Sequence, residues 1–161
     1  MKIATVVNVK KELRELSHSE LVLVCLRLAK SKKENKELLN YLLFESSDED
    51  RYIKIVKGEI ATGFQSLNTT NFYLAKKTIR KVLRLTNKHI SFSKNKETEV
   101  ELLLNFCEKF NSIDLYMEES KTMVNLYNNV LKKINKAIIT LHEDLQYDYE
   151  KRVQALNVYV Q

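Results

Sequence analysis

At 161 residues the chain is long enough for one domain with a substantial core. It has no proline and only two glycines, Gly58 and Gly63, which argues against a turn-rich sheet protein and for a nearly all-helical one. The formal charge of +6 is concentrated in one region, because Arg51 to Lys96 holds eleven Lys or Arg against Glu59 alone.

These features predict an all-α fold over residues 1–161, an irregular bundle or short stack of helical hairpins with six to eight helices. If the chain divides, 1–92 and 95–161 are the expected sub-units. No repeat of fixed period is present, which argues against a solenoid. In chain order, a short helix is expected near Val9–Leu16, followed by helices near Ser19–Ala29, Lys33–Phe44 and Asp48–Leu67. Ser17-His18-Ser19-Glu20, Ser31-Lys32-Lys33-Glu34 and Ser46-Ser47-Asp48-Glu49 each fit a capping box, in which hydroxyl and acid satisfy backbone donors reciprocally. The Asn68-Thr69-Thr70-Asn71 cluster breaks the pattern and caps a fifth helix, about Phe72–Ile90. Ser91–Lys96 reads as the longest loop. A sixth helix follows near Glu97–Asn111, with Ser112 as the next cap.

From Asp114 onward no strong stop occurs. Met123, Tyr127, Val130, Ile134, Ala137 and Leu141 recur at steps of four and three, the rhythm of a helix–helix seam. The pattern then drifts through Leu145, Tyr149, Val153, Leu156 and Val160. A single helix over this span would be about 70 Å long, more than the width of a domain this size. It is therefore expected to bend or break, around Thr140–Asp144, or to project and pair with another chain. Gly63, inside a helix, marks a close helix–helix approach.

The opening Leu13-Arg14-Glu15-Leu16-Ser17-His18-Ser19-Glu20-Leu21, with Leu26-Arg27-Leu28-Ala29-Lys30 and Asn35-Lys36-Glu37-Leu38-Leu39, resembles the start of an uncharacterised bacterial all-helical family. That resemblance covers about thirty residues and implies a helical fold, with no chemistry attached.

The fifth helix carries the main functional signal. At about 100° per residue, Phe72, Ala75, Ile79, Val82, Leu83, Thr86 and Ile90 share one face. Lys77, Arg80, Lys81, Arg84 and Lys88 share another, with Tyr73 among them and Lys76 at its edge. Such a stripe has three readings: solvated surface neutralised by acids of other helices, a face for an acidic protein, or a row of phosphate contacts with Tyr73 or Phe92 stacking on bases. Nothing in it matches a base-reading motif, so nucleic-acid binding through residues 72–96 would be sequence-independent. The uncharged stretch before it offers a polar pocket around Thr62, Gln65, Ser66, Asn68 and Asn71.

Enzyme readings have little to stand on. There is no P-loop, dinucleotide fingerprint or nucleophile elbow, so no cofactor and no small-molecule substrate are expected. Glu15-Leu16-Ser17-His18 has the Glu-x-x-His spacing of metal bundles, but it straddles a helix boundary and has no second copy. His142-Glu143-Asp144 with Asp148 and Glu150 reads as a solvated acidic face. Cys25 and Cys107 are expected as buried, reduced thiols. No leader and no membrane span are expected, which suggests a cytoplasmic protein. The expectation is a non-enzymatic helical interaction module, a small adaptor or regulator with a protein partner or a second copy of itself. The alternative is a nucleic-acid-binding protein using the basic helix.

Overall fold

A computed structural model describes residues 2–113 and 119–156. Among these residues there are eight α-helices and no strand, so the fold is all-α. No described helix is long and apolar enough to cross a membrane. The chain divides into two compact units at Phe44/Glu45, and the 93–95 joint lies inside the second.

In the first unit, Thr5 caps α1 (Val6–Glu15) by accepting a bond from the Asn8 amide at 3.3 Å. Ser17 and Glu20 close the expected capping box at the start of α2 (His18–Ser31). The second expected box does not form. Ser31 stays in α2 because its hydroxyl donates to the Leu28 carbonyl at 2.7 Å, and α3 (Lys33–Asn40) starts at Lys32 without a side-chain cap. Asn35 fastens the turn by donating back to that carbonyl at 3.0 Å. A π-helical turn, Tyr41–Glu45, continues α3. No residue of α1, α2 or α3 is buried. Cys25 is accordingly exposed, not buried as expected, since the apolar run of α2 lies uncovered.

The second unit is built around α6 (Lys96–Asn111), packed by α4 (Glu49–Gln65), α5 (Phe72–Ser93), α7 (Lys121–Ile138) and α8 (Glu143–Gln154). Val100, Leu102, Leu103, Leu104, Phe106, Cys107 and Phe110 are buried on several sides of α6, the signature of a central helix. Aromatic rings run through the core in series, Phe64 to Phe106 at 5.4 Å, Phe106 to Phe110 at 6.4 Å, and Phe110 to Tyr127 at 5.1 Å between centroids. The Tyr127 hydroxyl accepts from Asn111 at 3.0 Å, so this buried oxygen is satisfied.

Asp48, not Ser46, caps α4 by accepting from the Arg51 amide at 3.0 Å, where a carboxylate also suits the positive helix end. Asn71 caps α5 as expected. The expected 91–96 loop contracts to Lys94 and Asn95. Lys94 ends α5 in the left-handed region at φ 57°, and Asn95 caps α6 directly. Ser112 ends α6 rather than starting a helix; residues 114–118, where the C-terminal pattern begins, lie outside the described residues, and Ser120 opens α7.

The seam residues Met123, Tyr127, Val130, Ile134 and Ala137 are all buried within the one chain, on the helix that packs most extensively against α6. Leu141 is half-buried beyond the end of α7. The long helix breaks between Ile138 and Glu143, with Thr140 donating to the Ala137 carbonyl and His142 accepting from the Asp144 amide. The drift positions Tyr149 and Leu156 are buried, while Val160 lies outside the described residues.

Candidate nucleic-acid interface

Packing of α5 onto α4 and α6 orients its polar face. Ala75, Ile79, Val82 and Thr86 are buried, which turns Lys77, Arg80, Lys81 and Arg84 outward. None of these four pairs with a carboxylate of the described residues. Like charges spaced three and four apart cost a helix tenths of a kcal/mol per pair, and no acid on α5 offsets that. Within the wider basic segment the charges off α5 behave differently. Lys57 bonds Glu101, Arg51 lies 4.0 Å from Glu45, and Lys96 lies 2.7 Å from Glu99.

The stripe read from the wheel is not one surface. Tyr73, Lys77, Arg80 and Arg84 line a groove with Leu83, Asn87 and, from α7, Leu126; this hollow is about 530 Å³. It continues into a second hollow of about 430 Å³ sharing Arg80, Leu83 and Leu126 and adding Thr122, Asn125, Asn129, Val130 and Lys133. Lys133 reaches across to Asn87 Oδ1 at 3.5 Å. Lys81 instead faces the α4–α5 groove, with Thr78 and Leu85. Lys76 lies 4.7 Å over the Phe72 ring, and Lys88 is half-buried and already engaged.

The α7 contribution escaped the sequence reading, which treated this segment only as an apolar seam. A signal was present: from Lys121 to His142 there is no Asp or Glu, while Lys121, Lys132, Lys133 and Lys136 accumulate. Thr122, Asn125, Leu126, Asn129 and Lys133 lie one helical turn apart on a single face.

Two expectations are corrected. Phe92 is buried at 6% exposure and cannot stack on a ligand, because α5 continues past Ile90 and turns this ring edge-on to His89. The uncharged stretch forms no single polar pocket. Thr62 and Ser66 face the α4–α5 groove, Gln65 lines a hollow with Lys109 and Ile113, and Asn68 accepts from the Thr70 and Asn71 amides within its own turn.

Three acids of α6 serve other contacts. Glu101 bonds Lys57 and Arg152, Glu108 bonds Arg152 at 3.1 Å, and Glu97 accepts from the Tyr149 hydroxyl at 3.2 Å. Burial pushes the Tyr149 phenol up, and the nearby Glu101 and Glu97 charges push it further. Glu143 and Asp144 occupy the first turn of α8, where the helix dipole favours them. Among the described residues no three of His, Cys, Asp and Glu converge as a metal-holding group. Glu15 and His18 stand at the end of α1 and the start of α2, on either side of the Ser17 cap. Comparison with known proteins gives no matching family model, no matching curated protein and no matching solved structure.

Proposed function

We propose that this protein is a non-enzymatic helical binding module whose partner is nucleic acid, held by its phosphates along the α5–α7 groove. The observation that carries the reading is the set Lys77, Arg80 and Arg84, outward-facing, without carboxylate partners among the described residues, and faced across a groove by Lys133. Fixed cations of one sign along a groove raise local potential and attract a polyanion. Binding then releases counterions, so affinity falls steeply with salt.

The test is fluorescence anisotropy of labelled DNA and RNA across a salt series. Four to six phosphate contacts give a log–log slope of about −3 to −5. Reversing Lys77, Arg80 and Arg84 to Glu lowers that slope by about three. Lys133→Glu, on the opposite wall, also weakens binding, whereas Lys81→Glu has the smaller effect because its side chain faces another groove. The same charge change at Lys10, Lys11 and Lys30 leaves the slope unaltered, which separates a local site from net charge. No binding at low salt would end the nucleic-acid reading and give this face to an acidic protein.

A further inference from the structure

We infer, resting on that phosphate-binding reading, that the α5–α7 groove takes single-stranded nucleic acid, with bases turned inward onto Tyr73 and a Leu83–Leu126 floor. A duplex presents phosphates and sugars on its outside and keeps base faces stacked within. It would use the cations of the groove and leave an apolar floor empty. A single strand exposes base faces, which stack on aromatic rings, and base edges, which bond to amides.

The groove supplies both kinds of contact between its charges. Tyr73 is 72% exposed, one turn before Lys77, and has no hydrogen bond or ring contact among the described residues. Leu83 and Leu126 are half-buried and line the hollow from α5 and α7. Asn125 and Asn129 are exposed along the α7 wall, and their amides make no side-chain hydrogen bond among the described residues. An amide both donates and accepts, so it serves any base edge without demanding one sequence. Lys133 donates across to Asn87 Oδ1 at 3.5 Å, so one long side chain spans the two walls at this point. From Tyr73 to Arg84 the helix rises about 16 Å, so Lys77, Arg80 and Arg84 can follow one strand's backbone over that length.

The experiment compares four labelled probes on the full chain: oligo-dT, oligo-rU, a duplex, and an abasic deoxyribose-phosphate chain, each of about 20 units. Oligo-dT and oligo-rU are expected to bind at least about tenfold tighter than the duplex and the abasic chain. A wide gap between dT and rU would assign the natural ligand to DNA or RNA. Tyr73→Ala is expected to bring oligo-dT to the abasic level with its salt slope unchanged, and Tyr73→Phe to retain the wild-type affinity. Equal binding of duplex, abasic chain and oligo-dT, or no effect of Tyr73→Ala, would overturn the single-strand inference while leaving the phosphate reading standing. Failure of every probe at low salt would overturn both.

Discussion

A Cβ on Gly63 would lie 2.6 Å from Val82 Cγ2, whereas one on Gly58 would meet nothing within 4 Å. Both glycines lie inside α4, where each costs about 1 kcal/mol relative to alanine. Gly58→Ala should therefore stabilise the protein by about 0.5–1 kcal/mol. Gly63→Ala should destabilise it by about 1–3 kcal/mol despite the better propensity, because valine is short and stiff at χ1 and cannot swing aside. Urea midpoints of the two variants, moving in opposite directions, would check this, and a rise for Gly63→Ala would refute the close approach. The sequence marked Gly63 for such an approach, since glycine in a helix otherwise weakens it. Which helix makes the approach, α5 through Val82, depended on how the two pack.

At the scale of elements, α8 is held to α6 by Arg152 and Tyr149, and Glu101 is the residue that ties α4, α6 and α8 together. Burial pushes the Glu101 carboxyl up, but the bond and charge of Lys57 with the charge of Arg152 outweigh it, so its pKa is lowered. A depressed folded-state pKa gives stability that is complete above the unfolded value of about 4 and is lost as pH falls through the folded value. Glu101→Gln should accordingly cost on the order of 1–3 kcal/mol at neutral pH. The difference from wild type should shrink as the pH falls from the unfolded value of about 4 through the depressed folded value, below which the wild-type side chain is also neutral. Thermal unfolding of both proteins over that range is the measurement. A gap unchanged by acid would mean that packing, not charge, makes the contribution. Helix caps were legible at this scale where the side chain had no competing use, as at Ser17 and Asn71. They were misplaced at Ser31 and Ser46, where a hydroxyl found a nearer carbonyl or a carboxylate stood closer to the helix end.

At the scale of the whole molecule, burial is unevenly spread. α6 is buried on several sides, while α1, α2 and α3 bury no residue. Isolated helices of fewer than about 12–15 residues are marginal in water, so the first unit should open locally far more often than the second. Hydrogen exchange followed by mass spectrometry should show the slowest amides in α6 and fast exchange throughout α1–α3. Protection of α2 equal to that of α6 would show that its apolar run is covered in solution. Charge is uneven too. α5 and α7 contain no acid, whereas Glu97, Glu99, Glu101 and Glu108 fall on α6.

The sequence by itself determined the all-helical class, most helix positions, the apolar seam of α7 and the concentration of charge before Lys96. Each of these is a local or periodic property, set by the scarcity of glycine, the lack of proline and the 3.6-residue repeat. Tertiary packing decided the rest. It buried the seam in the chain's own core and sent the Lys57 charge to Glu101. It also divided one cationic stripe, leaving Lys81 beside α4 and Lys77, Arg80 and Arg84 facing α7. A helical wheel shows which residues share a face. Only the neighbouring helices determine which of them remain open and what stands opposite, because burial and pairing join residues distant in sequence.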